Sequence, residues 1–121
     1  MDLVIIGTEN YDLYALLSAE LESAGYATHW AADGLEALDA AERLAPKALL
    51  LGDSLPVLGA TECCMRLRQV PEIHRDLPVY LVTDNEVNPV LRDKAGFTGV
   101  FPATHGSWEL HDLLAALSMK R

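Results

Sequence analysis

The sequence predicts an α/β fold in which helices cover both faces of a parallel sheet. Short apolar runs alternate with amphipathic stretches along the whole chain, which is typical of repeated strand–helix units. The apolar runs have no polar face, so we expect the strands to be buried on both sides, as in parallel sheets. The connections are short and the chain has 121 residues, which suits a single domain over residues 1–121.

The first strand–helix unit occupies the beginning of the chain. Leu3–Gly7 is β-branched and apolar, which predicts a buried strand. Asn10 is a good N-cap for a following helix, and Gly25 is a good C-terminal stop. Between them, apolar residues recur at helical spacing: Leu13, Leu16, Leu17, Leu21 and Ala24.

The second unit follows directly. Residues 27–32 predict a weaker strand. Asp33, with Glu36 three positions later, has the form of a capping box. The helix that it opens carries Leu38, Ala41 and Ala45 before Pro46 ends it.

The stretch from Pro46 to Pro56 is the most informative of the chain. Its apolar run, Leu49–Leu51, predicts a central strand buried on both faces. In an open parallel sheet, binding and catalytic sites form at the carboxyl ends of such strands. Gly52 stands at this strand's end and Asp53 comes one residue later. Because strand side chains alternate between faces, this one-residue offset decides whether the carboxylate enters a site.

The same alternation continues to the end of the chain. We expect a helix over 60–70, a strand over 79–83, a short helix over 86–95, a strand over 98–101 and a last helix over 107–119. Pro89 falls in the first turn of the short helix, where proline is tolerated. The last helix directs four leucines inward: Leu110, Leu113, Leu114 and Leu117.

The chain is acidic, with a net charge of −9 and a pI near 4.7. Such a surface repels nucleic acid and anionic lipid, so we expect neither as a partner. Residues 1–42 contain nine acidic side chains and no Lys or Arg. This segment is either a solvated, solubilising surface or a recognition face for a basic partner.

Cysteine usage and hydropathy favour a soluble, cytoplasmic protein. Cys63 and Cys64 are adjacent, which suits neither a disulfide nor a metal-ligand pair. They resemble small hydrophobic residues in a reducing compartment. No basic region of a signal peptide follows Met1, and no apolar run approaches the length needed to span a bilayer.

The sequence lacks the common signatures of catalysis and cofactor binding. Gly7-Thr8-Glu9 does not match a glycine-rich phosphate loop, and no serine stands on a nucleophile elbow. The histidines fall on different elements without a familiar metal spacing: His29, His74, His105 and His111. We therefore expect no enzyme activity, no cofactor and no metal.

Over almost its full length the chain resembles the receiver domain of two-component response regulators. The resemblance lies in the order and lengths of the elements and in several local phrases taken together. It implies a flavodoxin-like (βα)5 three-layer sandwich with strand order 2-1-3-4-5. The phrases are Glu22-Ser23-Ala24-Gly25-Tyr26, Ala32-Asp33-Gly34-Leu35-Glu36-Ala37-Leu38, Leu55-Pro56, Asp76-Leu77-Pro78-Val79 leading to Thr83, and Lys94-Ala95-Gly96.

The resemblance also implies a chemistry, the transfer of a phosphoryl group from a kinase to an aspartate. An acidic pair after the first strand helps to hold Mg²⁺, and the nucleophilic aspartate ends the third strand. A hydroxyl after the fourth strand contacts the phosphoryl oxygens, and a lysine after the fifth neutralises them. In this chain the matching positions, together with the neighbouring Asp53, form a degenerate pocket: Thr8, Glu9, Gly52, Asp53, Thr83 and Ala103. Only Glu9 and Thr83 keep a suitable group.

A candidate partner face follows from the same resemblance. Receiver domains contact partners through the fourth helix, the fifth strand and the last helix. Trp108 lies off the leucine stripe of that last helix, and tryptophan is a common interface anchor. The face would be formed by Val90, Leu91, Val100 and Trp108. Val100 stands where many receivers carry an aromatic switch residue.

Three hypotheses follow. The first is an atypical receiver that acts by protein–protein interaction without aspartyl phosphorylation, its partner a signalling protein or a second copy of the chain. The second is a conventional phospho-accepting regulator that uses Asp53. The third is a flavodoxin-like domain that binds a small ligand in the crevice beside Gly7, Thr8, Gly52 and Thr83.

Overall fold

Five parallel strands alternate with four helices in the computed structural model, which describes residues 2–70 and 77–101. The elements are β1 (Leu3–Gly7), α1 (Tyr11–Ser23), β2 (Ala27–Ala31), α2 (Gly34–Leu44), β3 (Ala48–Gly52), α3 (Ala60–Arg68), β4 (Val79–Val82), α4 (Pro89–Ala95) and β5 (Gly99–Phe101). The sheet order is β2-β1-β3-β4-β5, and every neighbouring pair is parallel. This confirms the predicted α/β class and the flavodoxin-like order. The helix predicted over 107–119 lies outside the described residues.

The central strand β3 is buried along its whole length, as its apolar sequence predicts. Its side chains alternate between two hydrophobic cores. Leu49 and Leu51 pack with α2, α3 and α4 on one face of the sheet. Ala48 and Leu50 pack with α1 on the other face. The strand therefore has no solvent-facing side, and only its ends are available to carry a site.

Helix α1 begins and ends where its capping residues predict. The Asn10 side chain accepts hydrogen bonds from the backbone N–H groups of Asp12 and Leu13, at 2.9 and 3.3 Å. Gly25 follows the helix with φ of +97°, a conformation that favours glycine. Leu16 was predicted to belong to the apolar stripe of this helix, but its side chain is 52% exposed. It stands one position before the buried Leu17, so it lies off the stripe that faces the sheet.

Helix α2 begins as predicted, with Asp33 as its N-cap, but it differs from its prediction in one capping contact and at its C-terminus. Asp33 Oδ1 accepts from the Glu36 N–H at 2.8 Å, as expected, but Glu36 reaches back to the Ala32 N–H at 3.4 Å rather than to that of Asp33. Ala45, predicted within the helix, is the C-cap with φ of +48°. The reason is the following proline, since Pro46 disfavours the helical conformation of the residue before it.

The N-terminus of α2 packs directly onto the loop after β3. A Cβ on Gly34 would lie 1.7 Å from the Leu58 carbonyl oxygen, so only glycine fits here. The Gly34 N–H also donates to the Pro56 carbonyl at 3.2 Å. This close approach fixes the course of the loop that leaves Gly52.

Helix α3 ends earlier than predicted, at Arg68 rather than at residue 70. The Arg68 guanidinium donates to the Gly96 carbonyl at 3.0 and 2.7 Å and to the Leu77 carbonyl at 2.6 Å. It thereby ties α3 to the start of β4 and to the end of α4. Helix α4 is also shorter than predicted, because it begins with Pro89 at its first position rather than at residue 86.

The two cysteines lie inside the core to which α2 and α3 contribute, as hydrophobic residues do. Both side chains on α3 are fully buried. Burial raises the pKa of Cys63 to about 12 and that of Cys64 to about 11. Both thiols therefore stay protonated at neutral pH.

Among the described residues, no helix is both long and apolar enough to cross a lipid bilayer.

Candidate functional site

The carboxyl ends of β1, β3 and β4 meet at one edge of the sheet. Gly7 of β1 pairs with Leu51, and Gly52 pairs with Val82 of β4. The residues that follow these strands include Thr8, Asp53 and Thr83. The parallel arrangement therefore brings the predicted pocket positions of three strands together.

Gly52 faces the end of β1. A Cβ built on Gly52 would lie 3.4 Å from Thr8 Oγ1, and 3.5 Å from both Thr8 Cβ and the Gly7 carbonyl oxygen. These are ordinary contact distances, so a side chain could be accommodated here. The site instead has a glycine opposite a hydroxyl.

Thr8 is held firmly in place beside Gly52. It is buried, and its Oγ1 accepts from the Asn10 N–H at 3.1 Å. Its own N–H donates to the Ala31 carbonyl at 3.0 Å, and its carbonyl accepts from Trp30 Nε1 at 2.8 Å. The neighbouring Glu9 is exposed. Thr8 is therefore the residue of this predicted pair that contacts the Gly52 position.

Asp53 reaches the end of β4. Its Oδ2 accepts hydrogen bonds from the buried Thr83 Oγ1, in a short contact, and from Asn85 Nδ2 at 2.9 Å. Thr83 Oγ1 accepts in turn from the Asn85 N–H at 3.0 Å. Asp53, Thr83 and Asn85 thus form a closed polar network, which we call the Asp53 network. The one-residue offset noted in the sequence has a direct structural meaning: Gly52 faces β1, whereas Asp53 contacts the residues after β4.

The Asp53 network determines what the Thr83 hydroxyl can do. A hydroxyl group can donate one hydrogen bond, and the Thr83 hydroxyl donates its hydrogen bond to the Asp53 carboxylate. An incoming oxyanion would have to compete with a carboxylate that belongs to the chain itself. Across residues 2–70 and 77–101, no three His, Cys, Asp or Glu side chains are grouped so that they could hold a metal ion.

The structure brings some of the predicted residues together, and others lie outside its described part. Thr8 joins Gly52, and Asp53 joins Thr83, while Ala103 and Trp108 lie outside the described residues. On the candidate partner face, Val90 and Leu91 are exposed on α4. Val100 is partly buried against the core, so it is not a fully exposed part of that face.

Asn85 is a member of the site that the sequence analysis did not identify. It completes the Asp53 network through both its backbone and its side chain. Asp84-Asn85 directly follows a buried strand, and residues of this type often form local hydrogen bonds in turns. The sequence therefore indicates a turn at Asn85. It does not indicate that the side chain binds Asp53, which is 32 positions away in sequence.

Comparison of the sequence with known proteins identifies a curated relative. No family model matches the chain. The chain is 33% identical over 90 residues to the alkaline phosphatase synthesis transcriptional regulatory protein PhoP of Bacillus subtilis. The match covers 73% of this chain and 36% of that protein, so the chain spans about a third of the length of this curated relative.

Solved receiver domains superpose over nearly the whole chain. The receiver domain of the sensor histidine kinase PA1611 from Pseudomonas aeruginosa, solved with a magnesium ion in its active site cleft, is 25% identical with a TM-score of 0.84 and 96% coverage of both chains. The chemotaxis response regulator CheY4 of Vibrio cholerae is 22% identical with a TM-score of 0.89, covering 97% of this chain and 98% of its own.

The strand order, the position of the site at the carboxyl ends of the strands, and these relatives lead to one conclusion. The chain belongs to the response regulator receiver domain family and is a signalling module of the two-component type.

Proposed function

We propose that this receiver domain signals without aspartyl phosphorylation and acts through contacts with a protein partner. The observation that carries the proposal is Gly52 at the end of β3. Receiver domains place their nucleophilic aspartate at the end of the third strand. Here that position is a glycine without a side chain, and a Cβ built on it would lie 3.4 Å from Thr8 Oγ1.

The groups around Gly52 support the same conclusion. Mg²⁺ prefers anionic oxygen ligands, but the residue that contacts the Gly52 position is a threonine. In the sequence, Ala103 stands where the family has a lysine. Removing one preorganised electrostatic group typically raises a reaction barrier by about 2.7–4 kcal/mol. The loss of two such groups argues against efficient phosphoryl transfer.

The Asp53 network supports a signalling state that needs no phosphoryl group. The family hydroxyl, Thr83, already donates to a carboxylate of this chain. The Asn85 N–H and side chain hold the same arrangement from the loop after β4. The end of β4 is therefore organised by the chain's own side chains.

The surface of α4 supports contact with a protein. Val90 is 71% exposed, and Leu91 beside it is also exposed. Contiguous exposed apolar patches are characteristic of interaction sites. We include Trp108 in this face from its sequence position alone.

Intact-mass measurement tests the absence of phosphorylation. The domain is incubated with Mg²⁺ and a small acyl phosphate, beside a receiver that has a complete acidic pocket as a positive control. We expect the mass of this domain to stay unchanged while that of the control increases by one phosphoryl group.

One alternative has a specific observation in its favour. Because Asp53 contacts Thr83, it could accept a phosphoryl group in place of the missing nucleophile. A stable mass gain that is lost in Asp53→Ala but kept in Asp93→Ala, an exposed aspartate on α4, would establish this alternative and refute the proposal.

A further inference from the structure

Three aromatic rings form a cluster at the edge of the sheet opposite to α4. Tyr11 and Tyr14 lie one turn apart on α1, and Trp30 lies on the edge strand β2. The ring centroids are 5.3 Å apart for Tyr11 and Trp30, 5.4 Å for Tyr14 and Trp30, and 6.0 Å for the two tyrosines. We call this group the aromatic cluster.

The aromatic cluster is open to solvent but fixed in orientation. Tyr11 is 58% exposed and Trp30 is 37% exposed. Trp30 Nε1 donates to the Thr8 carbonyl at 2.8 Å, and its ring stacks on Tyr14 with an interplanar angle of 19°. The Tyr14 hydroxyl lies 3.4 Å from Thr28 Oγ1. Rings that are already ordered lose little conformational entropy when a partner binds.

The net negative charge of the chain comes from the part of the sequence that contains the aromatic cluster. All of the net charge of −9 comes from residues 1–42, since residues 43–121 contain nine acidic and nine basic side chains. Glu9 and Asp12 are exposed on either side of Tyr11 in the sequence. The aromatic cluster therefore belongs to a segment without any Lys or Arg of its own.

We propose that the aromatic cluster, with Glu9 and Asp12, binds an arginine-bearing segment of a partner protein. A guanidinium stacks on the faces of Trp and Tyr rings and pairs with nearby carboxylates. Charge complementarity selects this partner, because nucleic acid and anionic lipid would be repelled by the same carboxylates. The inference goes beyond the proposed function and does not depend on it, since the cluster involves neither Asp53 nor α4.

A labelled arginine-rich peptide tests the proposal, with a second peptide that carries neutral citrulline at every arginine. Binding to the whole chain is measured by fluorescence anisotropy and located by amide NMR shifts. We expect shifts at the start of α1 and at the Trp30 indole N–H. We expect the citrulline peptide to bind at least about tenfold more weakly.

Matched variants separate the cluster from general charge attraction. Tyr11→Ser keeps every charge, and we expect it to weaken peptide binding about tenfold. Leu16→Ser removes a similarly exposed apolar side chain from the same helix and should leave binding unchanged. The double variant Glu9→Gln/Asp12→Asn should weaken binding, whereas Glu42→Gln, an exposed charge on α2, should not. Circular dichroism checks that each variant is folded.

Several results would overturn the proposal. They are equal binding of the citrulline peptide, unchanged binding in Tyr11→Ser, equal loss in Leu16→Ser, or NMR shifts away from α1 and β2. Preference for DNA or for vesicles containing phosphatidylserine would also overturn it. The mass experiment is independent, so the two proposals can fail separately.

Discussion

Gly34 and Gly52 differ in how much space their surroundings leave for a side chain. At Gly34 a side chain is excluded, because a Cβ would overlap the Leu58 carbonyl at 1.7 Å. At Gly52 a Cβ would meet its neighbours at 3.4–3.5 Å, which is ordinary contact. Gly34 is therefore required by packing, whereas Gly52 is not. The absence of a carboxylate at the end of β3 is thus not imposed by lack of space.

Gly34→Ala should strongly destabilise the domain. The added methyl group must push the loop around Leu58 away from α2, and overpacking of this kind costs about 1–3 kcal/mol. Urea denaturation measures the loss of unfolding free energy. Gly52→Ala is the control, and we expect it to leave stability unchanged or to raise it by up to about 1 kcal/mol, because a strand tolerates alanine better than glycine. Equal losses in the two variants would contradict the packing difference.

Val57 is the most strained residue of the loop after β3. Its φ is +69°, and the Leu58 N–H donates to the Pro56 carbonyl at 2.7 Å, which defines a tight γ-turn centred on Val57. A β-branched residue rarely adopts positive φ. Its side chain is 73% exposed, so little packing compensates for the strain.

Val57→Gly should raise the unfolding free energy by about 1 kcal/mol. Relief of the steric strain exceeds the entropy that glycine adds to the unfolded chain. Val90→Gly gives the opposite sign by a few tenths of a kcal/mol, since Val90 is equally exposed but lies in α4, where glycine is a poorer helix former than valine. Thermal or urea unfolding of both variants provides the measurement. A loss of stability in Val57→Gly would show that the turn is not strained.

At the scale of elements, capping residues predict helix positions better than they predict helix lengths. Asn10 and Asp33 cap α1 and α2 as expected. The end of α3 is different, because Arg68 binds carbonyl groups at Leu77 and Gly96, which are distant in sequence. An arginine at the end of a helix gives no sequence signal for such a tertiary role.

Arg68→Met should lower the unfolding free energy by about 1.5–3 kcal/mol. The variant keeps the apolar stem but leaves two carbonyl groups without charged hydrogen-bond donors. Arg66→Met is the control on the same helix, since Arg66 forms an exposed pair with Glu62 at 3.0 Å and such pairs contribute about 0–1 kcal/mol. Comparable losses in the two variants would refute a joining role for Arg68.

At the scale of the whole molecule, two cores on either side of one sheet provide the stability. The core on the α2–α4 side contains both thiols. Burial raises the pKa of Cys63 from 9.0 to about 12. The folded state therefore holds the thiol protons more tightly than the unfolded chain does, and this contribution is complete below pH 9.

The domain should lose stability as the pH rises above 9 towards 11–12. The unfolded chain ionises its thiols first, which favours unfolding by about 1 kcal/mol per thiol between pH 9 and 10. Urea midpoints across this range should fall more steeply for the wild-type chain than for Cys63→Ala/Cys64→Ala. Parallel pH profiles would show that other groups cause the alkaline loss.

Much of the fold was predictable because apolar runs and capping residues act locally. The strands, α1 and α2 follow from hydrophobic runs, Asn10 and Asp33. The boundary at Ala45 was missed by one residue, because Pro46 acts on the residue before it. The strand order came only from the family resemblance, since a run of apolar residues does not specify its neighbour.

The sequence by itself determined which groups the site edge contains: a glycine at Gly52, a hydroxyl at Thr8 and a carboxylate at Asp53. Only the tertiary structure decided where these groups point. Gly52 faces Thr8, while Asp53 joins Thr83 and Asn85. The physical reason is that side-chain direction depends on how β3 enters its loop. That loop is held by the contact between Gly34 and Leu58, which lie far apart in sequence.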